Sequence, residues 1–219
     1  MRSFIGFIFV AIIFSSLAFC QDVNRFLIGP SLGMKAGVNG APSLEGRKNG
    51  LAFNGIPEIG VSAFYWLSDT SDLAIISELS YSTYSFLQKS GINDKEFTEK
   101  FSYFKFGADF YFSHFLLGFG VGLPLSSDIE GNEIDTKILN ALTEIRLAGW
   151  LPVMADETGT LNLFIQASYM LTGVFKDYSK NDPLFSAIPP TPPYNVAEKY
   201  NPRVVSLLIG FNYLFNLNL

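Results

Sequence analysis

The sequence is poor in charge, cysteine and histidine. Asp, Glu, Lys and Arg make up 16% of its 219 residues, where soluble domains carry roughly 25%. There is one cysteine, Cys20, and it lies at the end of the N-terminal apolar stretch, so the rest of the chain has no disulfide to staple it. Past that stretch no run of about 20 apolar residues exists, which excludes crossing a bilayer as a helix. Excess basic charge is missing too: the formal charge is -5, and -6 once Arg2 is removed, a balance that argues against nucleic acid as a partner.

What is present is dispersed apolar surface. The chain is 48% hydrophobic and 16% aromatic, with 22 phenylalanines. The N-terminus, MRSFIGFIFVAIIFSSLAFCQD, sets Arg2 before a short apolar core and a small-residue exit, the anatomy of a secretory signal peptide. The expected division is a signal peptide over 1–20 and one domain over 21–219. Read as an uncleaved anchor, the apolar core is short; read as a lipoprotein signal with Cys20 acylated, it carries Phe19 where a small residue is expected.

The mature chain reads with period two, the spacing of strands. Over 207–219, Leu207, Ile209, Phe211, Tyr213, Phe215, Leu217 and Leu219 take one face, with Ser206, Gly210, Asn212, Asn216 and Asn218 on the other. Over 104–112 the phenylalanines alternate with Lys105, Gly107, Asp109 and Tyr111. Similar patterns run over 26–36, 58–67, 73–86, 115–125, 139–151 and 161–171. Several of these runs approach the 9 to 11 residues of a tilted strand that crosses a bilayer.

The connections sort by length. They run over 37–56, 68–71, 87–96, 113–114, 126–137, 153–159 and 177–202, long alternating with short, as in outer-membrane barrels with long external loops and short periplasmic turns. The last carries Pro189, Pro190, Pro192 and Pro193 and is expected to be extended and semi-rigid. In hydrocarbon every backbone N–H and C=O needs a partner within the protein, so strands span only as a closed barrel without free edges. The expected fold is therefore all-β, an eight-stranded antiparallel transmembrane β-barrel of up-and-down meander type. Its last strand would end at the membrane and zip to the first.

In such a barrel the apolar parity faces lipid and the mixed parity faces the lumen. The inward set includes Lys35, Glu58, Glu78, Lys105, Asp109, Glu144 and Arg146. Eight strands leave an interior only wide enough for side chains to fill. These charges are accordingly expected to pair as a structural network, because an unpaired buried charge is costly.

The signal peptide, the eight-strand spacing and the ending Gly210-x-x-Tyr213-x-Phe215 resemble the small outer-membrane β-barrel families of Gram-negative bacteria, in particular the outer membrane protein beta-barrel domain group that includes PorT-like proteins. The resemblance covers essentially the whole mature chain. The ending is similar to the β-signal read by the barrel assembly machinery, although Leu219 stands where a terminal aromatic is commoner. The resemblance implies an outer-membrane location, contact with outer-membrane lipid and that machinery, and a monomeric or weakly associated barrel. It carries over no catalytic residues.

Other chemistry finds little support. Gly118, Gly120 and Gly122 recur with period two and no helix pattern follows, so they are not a dinucleotide fingerprint. They read as inward glycines that let the wall bend or let a bulky residue such as Trp150 approach. His114 sits beside Ser113 in a two-residue turn, and adjacency in sequence does not make a catalytic pair. Asp128, Glu130, Glu133 and Asp135 are oxygen ligands in type but lack EF-hand spacing, and read as a solvated acidic loop. No cofactor and no metal are expected. The expectation is a non-enzymatic scaffold whose loops meet an unidentified partner or ligand. The rivals are a soluble lipocalin-like carrier of a hydrophobic ligand, a narrow channel, and a lipid-modifying enzyme.

Overall fold

The computed structural model describes residues 26–68, 72–91, 94–185 and 196–217. The expected signal peptide, Leu219 of the terminal pattern, and Pro189, Pro190, Pro192 and Pro193 lie outside the described residues.

The described chain forms β1 (Phe26–Asn39), β2 (Arg47–Phe53), β3 (Glu58–Trp66), β4 (Leu73–Ser90), β5 (Glu96–Phe112), β6 (Phe115–Ile129), β7 (Asn132–Glu133), β8 (Leu142–Ala155), β9 (Gly159–Met170) and β10 (Val204–Asn216). Each strand pairs antiparallel with its neighbours, and β10 closes on β1 from Leu27↔Asn216 to Asn39↔Val204. The result is a ring with eight staves and no free edge, the condition for strands to cross hydrocarbon.

One stave is made of two strands. β2 and β3 both lie between β1 and β4. Phe53 faces Ala36 and Glu58 faces Gly33, so residues 54–57 bulge opposite Met34 and Lys35. Asn54 pins the bulge: its N–H donates to the Lys35 carbonyl at 2.9 Å and its side-chain amide to the Thr83 carbonyl at 3.2 Å. The expected first loop over 37–56 is therefore mostly wall, and the true connection is 40–46.

The other connections also shorten. β4 and β5 extend to Ser90 and from Glu96, leaving 91–95 between them, and β6 turns at Glu130 and Gly131 into β7. At the opposite end the turns are tight. Ser113 and His114 both have positive φ, 46° and 76°, the two-residue turn whose twist matches the flanking strands. Between β8 and β9, Asp156 Oδ1 accepts from the N–H groups of Thr158 and Gly159 at 2.8 and 3.0 Å.

The pleat sorts side chains as the parity requires. On β5, Phe104, Phe106, Phe110 and Phe112 point out and are exposed, while Lys105 and Asp109 are buried within the ring. The same outward belt continues through Ile59, Val61 and Tyr65 on β3, Phe115 to Leu125 on β6, and Val205 to Phe215 on β10. It is about 9 to 11 residues tall, the height of a crossing strand. Beyond Phe104 the belt ends: Glu96, Thr98 and Lys100 now face out, and Phe97, Phe101 and Tyr103 face in.

Candidate functional site: a charged lumen between two aromatic layers

Three layers fill the barrel along its axis. Nearest the short turns, Leu27, Phe64, Ile76, Tyr111, Leu116, Trp150, Phe164 and Leu214 form an apolar cluster. Phe64 meets Tyr111 edge-on at 5.2 Å and Trp150 lies 6.2 Å from Phe164. At the long-loop end Tyr84, Phe86, Phe101, Tyr103, Leu142 and Met170 form a second.

The seven charges expected to face inward lie between these layers, where they make two networks; an eighth inward carboxylate on β5, Glu99, is buried outside both. In the first, Glu58 receives Lys35 at 2.5 Å and Lys105 at 2.7 Å, with Ser82 donating to it at 2.7 Å. Lys105 also lies 3.5 Å from Glu144, whose other oxygen accepts from the Tyr84 hydroxyl at 2.7 Å. In the second, Arg146 grips Asp109 through two nitrogens and Glu78 through a third, the last at 2.6 Å. Five staves are thereby tied across the lumen. Around the remaining wall the inward groups are neutral: Asn162 donates to Asn212 at 2.8 Å, and Ser168 and Ser206 share a hydrogen bond at 2.7 Å.

The inward glycines make room for these charges, which corrects the expectation that Trp150 is their bulky neighbour. A Cβ on Gly107 would lie 2.1 Å from the Arg146 guanidinium, one on Gly118 would meet the Ala108 carbonyl at 2.2 Å and Asp109 at 2.4 Å, and one on Gly120 would meet Glu144 at 2.9 Å. Below the charges a gap of about 20 Å³, lined by Ser31, Ser62, Glu78, Asp109, Trp150 and Phe164, has room for a single water.

The long-loop end is closed by a lid that the sequence did not announce. After β9 the chain turns into the mouth, forms a short helix α1 (Tyr178–Asn181), and buries Val174, Phe175, Tyr178 and Leu184. Phe175 packs edge-on against Phe101 at 5.6 Å. Asn140 donates to the carbonyls of Gly173 and Phe175, and Asn201 both donates to Phe175 and accepts from it, so two side chains reinforce the short backbone bridge that this segment makes with 138–140. A buried ion pair, Arg47 to Asp182 at 2.6 Å, latches the lid to β2, and Gln88 shares the same guanidinium nitrogen at 2.9 Å. Burial, with the Asp182 carboxylate beside it, pushes the Tyr178 hydroxyl well above the ordinary tyrosine range. The described part of this connection is thus folded, not extended.

The acidic loop carboxylates serve the local backbone. Asp128 accepts from the Gly131 N–H, Glu130 from the Thr98 N–H, and Asp135 from the Lys137 N–H. No group of three potential metal ligands occurs among the described residues. His114 Nδ1 lies 3.2 Å from the Tyr111 hydroxyl, with Ser113 preceding it in the same turn.

A closed ring with an apolar outside and a charged, packed inside is unstable as a water-facing surface and suited to lipid. The fold and its belt define an integral β-barrel of the outer-membrane type. No protein-family model and no curated protein matches the chain. Among solved structures it is similar to Ail, the attachment invasion locus protein of Yersinia pestis, in a complex with the heparin analogue sucrose octasulfate. The identity is 12% over 87% of this chain and 99% of that one, with a TM-score of 0.36. It is also similar to Neisserial surface protein A (12%, 88% and 97%, 0.41) and to OprG from Pseudomonas aeruginosa (13%, 87% and 97%, 0.38). None of these likenesses shows a PorT-like subgroup.

Proposed function

We propose that this barrel works as a non-catalytic outer-membrane scaffold whose long-loop end presents a folded surface to a partner or ligand outside the cell. The observation that carries this reading is the packed middle of the lumen: among the described residues, two networks of paired charges between aromatic layers, under a latched lid, leave no open path along the axis. A soluble carrier of hydrophobic ligands requires the reverse arrangement, apolar inside and polar outside. Ser113 and His114 are neighbours in one turn, and the His114 ring is held by Tyr111, which supports a structural role for both over a nucleophile and its base. Lipid meets the belt. Gly210, Tyr213 and Phe215, together with Leu219, are the segment offered to the assembly machinery, and the barrel works as a monomer. Gly210 lies against Phe164, while Tyr213 and Phe215 face outward on the closing strand.

Sidedness and closure can be checked together. A cysteine at Gly131, the tip of the β6–β7 turn, should react with a membrane-impermeant maleimide on intact cells. A cysteine at Glu157, in the β8–β9 turn, should react only after the outer membrane is permeabilised. Purified protein in planar bilayers should pass no resolvable single-channel current. Reversed labelling would invert the orientation, and steady conductance would replace the scaffold with a channel.

A further inference from the structure

The barrel is not filled to its rim at the short-turn end. A cavity of about 230 Å³ opens there, bounded by the 113–114 turn, Asp72 and inward-facing side chains of several staves. Its lining is aromatic in an unusual arrangement. Trp66 and Tyr111 stand at 90° with centroids 5.8 Å apart, Tyr111 and His114 at 90° and 6.4 Å, and Tyr111 and Trp150 at 60° and 6.4 Å. The rings meet at corners instead of stacking, and Trp66, Tyr111, His114 and Trp150 all line the one cavity. Aromatic faces carry the negative end of the ring quadrupole and attract cations.

The charge of the lining has the same sign. Asp72 brings a carboxylate to the cavity. Burial pulls the His114 pKa below its ordinary value more strongly than Asp72 raises it, which favours the uncharged ring. The lining therefore carries about one negative charge beside several ring faces, the composition of sites that take quaternary ammonium groups. The cavity is below the roughly 300 Å³ of a drug-sized site, which limits its ligand to a small molecule. Among the described residues it is lined by inward-facing side chains and short-turn residues, not by the lipid-facing belt, which points to a dissolved ligand and not to a lipid headgroup.

We propose that this cavity binds a small soluble organic cation of the alkylammonium class, the charged head resting against Trp66, Tyr111 and Trp150 with the Asp72 carboxylate as counter-charge. The site lies at the opposite end from the long loops, and it stands or falls independently of what those loops meet.

Both tryptophans of the chain, Trp66 and Trp150, line the cavity, so intrinsic fluorescence reports occupancy without a label. The full chain, in a non-ionic detergent free of choline headgroups, is titrated with choline chloride at constant ionic strength. A parallel titration uses 3,3-dimethylbutan-1-ol, the uncharged molecule of the same shape. The expected result is a saturable change with choline, about tenfold tighter than with the alcohol. Asp72→Asn, at an exposed position, should weaken choline at least about threefold, as loss of a partly solvated counter-charge does, with the melting temperature unchanged. An absence of saturation in folded protein, equal affinity for choline and the alcohol, or undiminished binding by Asp72→Asn would overturn the assignment.

Discussion

Replacing Arg146 with leucine is expected to cost about 3 to 5 kcal/mol of stability, the loss found when one partner of a buried ion pair is removed. Arg146 is 2% exposed and its guanidinium serves two carboxylates, Asp109 and Glu78. Leucine would fill part of the volume and leave both acids in the lumen without a cation. Lysine keeps the charge but loses the planar fork that reaches both at once, so Arg146→Lys should fall between leucine and the native protein. Adding Asp109→Asn and Glu78→Gln to Arg146→Leu removes the stranded charges and should recover much of the loss. Urea unfolding in lipid vesicles, followed through Trp150 on the neighbouring layer, measures all of these. A loss below about 1 kcal/mol for Arg146→Leu would mean that water reaches the charges and that the lumen is not packed as described.

Phe106→Lys is expected to cost about 2 to 4 kcal/mol, and Phe112→Lys, on the same face of the same strand but beside the turn, only about 0 to 1. The two residues are comparably exposed, 49% and 57%. In water, a lysine at either position would be a surface substitution of small and similar effect, within about 0.5 kcal/mol. Only a solvent whose polarity varies with depth separates them. Reversible unfolding of each variant in the same vesicles gives the comparison, and equal costs would remove the membrane from the account.

How much of this was written in the sequence depends on where each residue sits relative to lipid. Within the belt the outward parity is uniformly apolar, so the staves over 104–112 and 207–216 could be read by period two alone, and with them the inward set of seven charges. Past Phe104 the environment changes. Water lies outside the wall and the lid lies inside it, so Phe97, Phe101 and Tyr103 turn in while Glu96, Thr98 and Lys100 turn out. The alternation persists with its sense inverted, and a search for an apolar outer parity ends the strand several residues early.

β2 was hidden for a different reason. It lies inside the connection expected over 37–56, and the wall takes up 54–57 as a bulge pinned by Asn54 instead of a loop. The lid has no period at all. Val174, Phe175, Tyr178 and Leu184 are buried by side-chain clamps from Asn140 and Asn201 and by the Arg47–Asp182 latch, contacts between residues far apart in the chain. Parity also says which charges point inward but not which ones meet. Pairing depends on the stagger between staves, and it joined Arg146 to Asp109 and Glu78 and left Glu58 with both lysines. Tyr84 and Ser82, which complete the first network, carried no charge to single them out.

The apolar parity of the strands touches acyl chains. Nitroxide labels placed singly at Phe104, Phe106, Phe110 and Phe112, in protein lacking Cys20 and reconstituted in bilayers, test it through collisions with oxygen, which concentrates in hydrocarbon, and with a water-soluble nickel complex. High oxygen and low nickel accessibility are expected at Phe106 and Phe110, with nickel contact rising toward Phe112. Labels that nickel reaches equally at all four positions, or that neither reagent reaches, would place this face in water or in a protein interior and contradict it.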